Sequence, residues 1–432
     1  RDYYIFKEGK EGNPPNNWVS FFEGSAWEYN EATDDYYLHY FTRRQPDLNW
    51  ENPQVREALY EVMRFWLDKG VNGFRFDVIP LISKDLNYPD IPADEDGRLD
   101  FVRHYANGPR VHEFLQEMYE KVLQHYDCYT VGEGIGISTQ EAAAYVAPER
   151  KELDSIYHFD HMVLDRDMAT GKATPLPLVQ FKSVIREWDE ALVNKGWNTF
   201  YLGNHDQPRA VSRFGNDSPA YRELSAKMLM TLLFTQKAIP YLYQGDELGM
   251  TNTHFETVQE FDDVHVRNMY KELLEKEGDE EEFLARMNTN SRDHARTPFL
   301  WNAEKQAGFT EGEQPWIKIN PNHTQINAQA SQTNPESVWH YTKKMIQVRK
   351  THSGLIYGDY EDLAPEHPSL FLYKRSQGSD HYLVLLNFSD QEQDSQIALK
   401  ADRQLIIANY GDHPSEEGSI KLRPYEAIIF KY

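Results

Sequence analysis

The chain predicts an α/β fold of the (β/α)8 TIM-barrel class. Three short apolar strands, at residues 71–79, 129–133 and 200–206, each end on a carboxylate, and helical segments separate them. Catalytic residues of such barrels lie at the C-terminal ends of different strands. The first strand carries Arg75 and Asp77, two apart and so on one side of an extended chain, among the apolar residues Val71, Phe74, Phe76, Val78 and Ile79. A carboxylate beside a fixed cation stays ionised at neutral pH, as a carboxylate nucleophile must. From this segment alone, a purely structural arginine–aspartate pair reads equally well. The second strand, Tyr129-Thr-Val-Gly-Glu133, ends on Glu133, and the third, Phe200-Tyr-Leu-Gly-Asn-His205-Asp206, on His205 and Asp206. A βα unit takes roughly 30 residues, so a further strand is expected between Glu133 and Asp206, and Ser155-Ile-Tyr-His-Phe-Asp160 fits that place.

Taken in order, residues 1–46 are rich in Gly, Asn, Pro and aromatic residues and read as an irregular subdomain or long loop, with short strands near Phe21 and over Tyr36–Phe41. Asn52 as cap and Pro53 at the first helical position open a helix to Lys69, along which Val55, Leu59, Val62, Met63, Trp66 and Leu67 recur at helical spacing. Residues 85–108 are polar and rich in Pro, Gly and Asp, and read as a loop. Within it, Asp94-Glu-Asp96-Gly97 has part of a calcium loop's composition without its ligand spacing, and a solvated turn has the same composition. Helices are expected at 109–125, 179–195 and 219–236, alternating with strands near 155, 199 and 239. Residues 250–300 form an excursion that includes an acidic helix around Lys271–Met287, whose Glu277–Glu282 run reads as a solvated face. A last long helix spans 336–351. Beyond 355, short alternating strands at Ser369–Lys374, His381–Phe388, Gln404–Tyr410 and Ala427–Tyr432 predict a small all-β domain.

Composition narrows the function. The 432 residues carry a net charge of −24, which repels phosphate backbones and excludes nucleic acid as a partner. Aromatic residues make up 13%, with 27 Tyr and 9 Trp; both large cores and sugar clefts use such rings. Cys128 is the single cysteine, so neither an internal disulfide nor a zinc–cysteine site is available. No apolar run approaches the roughly 18 residues of a membrane span. One cysteine and no secretory leader in view suit the cytoplasm, although the chain opens on Arg1 in mid-pattern.

Gly73-Phe-Arg-Phe-Asp77, Val131-Gly-Glu133 and Asn204-His-Asp206 resemble three regions of the α-amylase family of glycoside hydrolases. Gln45-Pro-Asp-Leu-Asn49, Gln244-Gly-Asp-Glu-Leu-Gly-Met250 and Ser291-Arg-Asp-His-Ala-Arg296 are similar to its oligo-1,6-glucosidase subfamily, and the resemblance covers essentially the whole chain. It implies that Asp77 is the nucleophile, Glu133 the acid/base and Asp206 the third carboxylate, which grips the sugar in the transition state. It implies further that Arg75, His205, Arg292 and Arg296 line the glucose subsite, and that Val78, directly after the nucleophile, goes with preference for α-1,6 linkages. His205 as a satisfied core histidine and Arg292 as a surface or domain-packing ion pair are the plainer readings. Residues 1–46 would then be the remainder of an inserted subdomain, 47–354 the barrel from its fourth strand to its eighth, and 355–432 a C-terminal antiparallel β-sandwich. The first three strands, part of the roughly 250 residues of a whole barrel, are expected ahead of residue 1, in an N-terminal fragment of the same protein that completes the barrel. Gly134-Ile-Gly136 departs from the methionine usual after the acid in the subfamily.

Retaining glycosidases use two carboxyl groups about 5–5.5 Å apart, one ionised and one protonated. Arg75 would keep Asp77 charged, while Glu133, in an apolar strand with no cation adjacent in sequence, would have a raised pKa. The chemistry requires neither metal nor organic cofactor. The expected activity is exo-acting hydrolysis of α-1,6-glucosidic bonds at the non-reducing ends of isomalto-oligosaccharides. Sucrose isomerase or sucrose hydrolase, trehalose-6-phosphate hydrolase, and an inactive sugar-binding or transporter-associated relative stand as alternatives. Leu164-Asp-Arg-Asp167 resembles a loop of sucrose isomerases, and Asp165 and Asp167 read otherwise as a solvated loop.

Overall fold

In the computed structural model the helix Pro53–Asp68 starts where its cap places it. The Asn52 side chain accepts from the backbone N–H of Gln54, and Pro53 occupies a position whose N–H would have no helical partner. The structure describes residues 1–93, 102–167, 171–399, 402–412 and 419–432. The Asp94–Gly97 turn therefore lies outside the described residues. By contacts the chain divides into two units, residues 1–159 with 190–198, and residues 160–189 with 199–432.

In the first unit β1 (Phe6–Lys7), β2 (Trp27–Asn30) and β3 (Asp35–Leu38) form an antiparallel sheet in the order β1-β3-β2. The strand expected near Phe21 does not form; its N–H instead closes a loop onto the carbonyl of Tyr40. Trp18, Trp27, Tyr40 and Tyr105 pack together in the core of this region. Parallel strands follow: β4 (Gly73–Phe76), β5 (Tyr129–Glu133), β6 (Ser155–Tyr157) and the start of β7 (Trp197–Tyr201), each paired with the one before. β4 is shorter than the expected 71–79 because Val78 turns left-handed, at φ 37°, into a single 3-10 turn, Ile79–Ile82. Gly73 at φ 147° is required: a Cβ there would stand 1.8 Å from the backbone oxygen of Tyr129. Between β5 and β6 the helix Thr139–Val146 was missed by apolar spacing. Its signal was the capping box, in which Ser138 and Glu141 satisfy each other's backbone N–H groups.

In the second unit the end of β7 lies parallel to β8 (Ile239–Tyr241), and the helix Arg222–Thr235, which connects them, is buried from Ser225 to Thr235. The single acidic helix expected over 271–287 is two helices, Val264–Glu275 and Glu280–Asn290. Gly278 interrupts the run, and the Asp279 side chain caps the second helix through the N–H of Glu282 at 3.0 Å. The C-terminal strands are β9 (Asp359–Asp362), β10 (Leu370–Gln377), β11 (Asp380–Asn387), β12 (Gln393–Ala398), β13 (Gln404–Ala408), β14 (Ser419–Leu422) and β15 (Ala427–Lys431). They form one antiparallel sheet, β13-β15-β11-β10-β9, and a pair, β12-β14. Leu372, Leu383, Leu385, Ile420, Leu422 and Phe430 from both sheets share one buried cluster, which makes this the expected sandwich. β9, β12 and β14 were not seen in the sequence because their alternation is largely polar.

Lys182, 1% exposed on the helix Leu178–Leu192, donates to the carbonyls of Ala364, His367 (3.0 Å) and Leu370 (3.1 Å) at the entry to β10. Lys182→Met leaves these carbonyls without their donor and is expected to cost about 3 kcal/mol, read as a lower melting temperature with unchanged far-ultraviolet dichroism.

Candidate active site

At the end of β4, Arg75 and Asp77 point to one side, as their spacing requires. Arg75 Nη1 pairs with Asp77 Oδ1, and Arg75 Nη2 donates to Glu133 Oε2 at 2.7 Å. The two carboxyl groups differ sharply in environment: the Asp77 side chain is 69% exposed and that of Glu133 is 7% exposed. The left-handed turn at Val78, rare for a β-branched residue, aims its backbone N–H at Glu133 Oε2, 3.0 Å away. Burial pushes the Glu133 carboxyl up to about 7; Arg75 and the Val78 N–H oppose the rise, and the neighbouring Asp77 adds to it. The direction and its leading cause, burial in an apolar strand, are the expected ones; the expected lack of a neighbouring cation is not. Glu133 does have a cation, Arg75, and burial outweighs it.

In the second unit, Asp206 follows β7 in a turn in which Asn204 Oδ1 accepts the Asp206 N–H at 2.8 Å. One carboxylate oxygen faces His205 Nε2 at 3.1 Å. The other accepts from Arg292 Nη1 at 3.0 Å and Arg296 Nη2 at 2.5 Å. Burial alone would raise this carboxyl, but His205, Arg292 and Arg296 together hold it well below the usual carboxylate range. Arg296 is further oriented by donating from Nε to the His205 carbonyl at 2.9 Å. His205 is 53% exposed, not a core histidine.

Sequence reasoning missed several partners. Asp263, 1% exposed, accepts from Arg292 Nε at 2.5 Å and Nη2 at 2.8 Å, a two-bonded grip that fixes the guanidinium against Asp206. In sequence it signals only the N-cap of the helix Val264–Glu275, a role it also fills. Buried Arg209 donates to the carbonyls of Gln244 (2.6 Å), His294 (3.1 Å) and Ala295 (3.3 Å), pinning the turn that bears Arg292 and Arg296. Tyr157, at the end of β6, accepts from Arg75 Nε at 3.0 Å and Nη2 at 2.6 Å. Asp165 was read as solvated; instead it is buried, with Arg213 donating from Nε at 2.6 Å and Nη2 at 2.5 Å, whereas Asp167 is exposed. Among the described residues, no group of three or more His, Cys, Asp or Glu is placed to hold a metal ion, and no helix is long and apolar enough to cross a membrane.

Residues 1–358 match the family described as alpha amylase, catalytic domain, and residues 370–429 the alpha-amylase SusG C-terminal domain. Oligo-1,6-glucosidases from Bacillus cereus and Parageobacillus thermoglucosidasius are 46% and 47% identical, each over 100% of this chain and 78% of the relative. Among solved structures, the isomaltulose synthase of Klebsiella sp. LX3 superposes with a TM-score of 0.94 at 42% identity, covering 100% of this chain and 78% of its own.

Proposed function

The chain belongs to the α-amylase family of glycoside hydrolases, and on that premise we propose that it is a retaining, exo-acting α-glucosidase. It removes glucose from the non-reducing ends of isomalto-oligosaccharides by cleaving α-1,6 bonds. The observation that supports this reading is a single arginine, Arg75, shared between an exposed carboxylate, Asp77, and a buried carboxyl, Glu133. In the first displacement Asp77 attacks the anomeric carbon while Glu133 gives its proton to the departing oxygen, leaving a glycosyl-enzyme ester. In the second, Glu133 takes a proton from water, and the water oxygen displaces Asp77. Asp206, kept ionised by His205, Arg292 and Arg296, is assigned the stabilisation of the oxocarbenium-like charge, and those three residues the binding of glucose. Val78, directly after the nucleophile in the chain, is the residue to which the α-1,6 preference is assigned. The division at residues 46 and 354, and cytoplasmic residence resting on the single Cys128, belong to the same proposal.

The direct test is a proton NMR time course with isomaltose, maltose and sucrose in parallel. α-Glucose as the first product from isomaltose is the expected result. β-Glucose first would overturn double displacement, and no turnover of any of the three would leave a sugar-binding relative as the better reading. The sucrose sample also tests a second reading, isomerisation. That reading is favoured by the buried Arg213–Asp165 pair in the loop Leu164–Asp167, and it would give isomaltulose.

Two further outcomes follow from the same residues. Glu133 must be protonated for the first displacement, and its carboxyl titrates at about 7. A pH profile of kcat/KM on isomaltose is therefore expected to level off below that value and fall about tenfold per pH unit above it. Val78→Thr places a hydroxyl where a methyl stood and is expected to lower the ratio of isomaltose to maltose hydrolysis by about tenfold or more, read as a ratio of kcat/KM values.

A further inference from the structure

We propose that Tyr157 is a positioning residue, whose hydroxyl holds the Arg75 guanidinium astride Asp77 and Glu133 and prevents it from closing on either one. The inference rests on the retaining-glycosidase reading above. Tyr157 ends β6 as Glu133 ends β5, and the two are register partners across the parallel ladder, so their side chains rise side by side on one face. The backbone fixes the pair further, the N–H of Gly134 donating to the Tyr157 carbonyl at 2.8 Å.

A guanidinium and a carboxylate prefer the forked geometry of two parallel N–H···O bonds. Arg75 is flanked by two carboxyl groups and makes that fork with neither. Its Nε and Nη2 both donate to the Tyr157 oxygen, Nη2 is shared with Glu133, and Nη1 goes to Asp77. The neutral phenol thus occupies the two donors that a fork onto Glu133 would use. Burial raises the phenol far above its ordinary value, so it stays neutral throughout the working range. The charged and titratable groups facing Glu133 are Arg75 and Asp77 from the end of β4 and Tyr157 from β6, together with the Val78 N–H. A forked Arg75–Glu133 pair would favour the ionised carboxylate and remove the proton that the leaving group needs. Tyr157 therefore acts on the protonation of the acid through the arginine.

Tyr157→Phe keeps the ring and deletes the oxygen. With the oxygen gone, the alkaline limb of kcat/KM on isomaltose is expected about one pH unit lower, so that activity drops about tenfold above pH 7 and returns to near wild type in the acid range. An infrared titration of the protonated Glu133 carboxyl, assigned by its loss in Glu133→Gln, is expected to move the same way. It reads the proposal even if isomaltose is not the substrate, which separates its failure from that of the functional reading. In an Arg75→Lys background, where no fork can form, Tyr157→Phe is expected to shift neither readout further. An unmoved titration, or an equal loss at every pH, would overturn the proposal.

Discussion

Asp77→Asn is expected to lower kcat/KM on isomaltose by on the order of 10⁴-fold or more, while changing stability by less than about 0.5 kcal/mol. The two magnitudes separate because the side chain is mostly exposed. Its charge contributes little to packing, so an amide of the same shape costs the fold little. For chemistry the loss is large, since an amide oxygen cannot form the ester intermediate. The substitution also removes a negative neighbour that helps to keep Glu133 protonated and leaves Arg75 with one carboxyl partner, so Glu133 is expected to titrate lower. Kinetics on isomaltose with parallel thermal melts check both parts. A variant retaining more than about a hundredth of wild-type activity would remove Asp77 from the nucleophilic role.

Glu133→Gln is expected to cost on the order of 10³-fold on isomaltose, within the range of a lost general acid, and far less in the first step on an aryl α-glucoside. A sugar alkoxide cannot depart without a proton, whereas an acidic phenolate can. The glycosyl-enzyme should then accumulate on the aryl substrate, because the group that would activate water is also gone. Azide, which needs no base, should release it as α-glucosyl azide, and a burst of phenolate followed by azide-dependent turnover is the signature. Equal losses on both substrates would count against Glu133 as the acid. Substitution here carries a structural cost that Asp77→Asn does not, since Glu133 is buried and receives N–H groups from Arg75 and Val78. Glutamine still offers an acceptor to both, which is why it is preferred to alanine.

Much of this site was legible in the chain because its signals are local. Residues two apart on a strand share a face, so Arg75 and Asp77 could be paired by counting, and short apolar runs ending on acids located Glu133 and Asp206. The cap at Asn52 and Pro53 placed the first long helix to within a residue. Failures came where one local signal hid another. An acidic run read as one helix was two, because Gly278 and the cap at Asp279 were passed over for the charge pattern. The helix after Ser138 had a capping box but little apolar periodicity.

By itself, then, the sequence determined the barrel class, the family and the chain positions of the three carboxylates, because each rests on spacing along a few consecutive residues. Tertiary structure alone decided what surrounds those carboxylates. Arg75 reaches Glu133 across the β4–β5 pairing, Tyr157 reaches Arg75 from β6, and Asp263 grips Arg292 from a separate loop. Asp165, polar and read as solvated, is buried against Arg213. The physical reason is that a side chain's ionisation depends on burial and on charges a few ångströms away. Such neighbours come from strands and loops tens of residues apart, and only the closing of the fold brings them together.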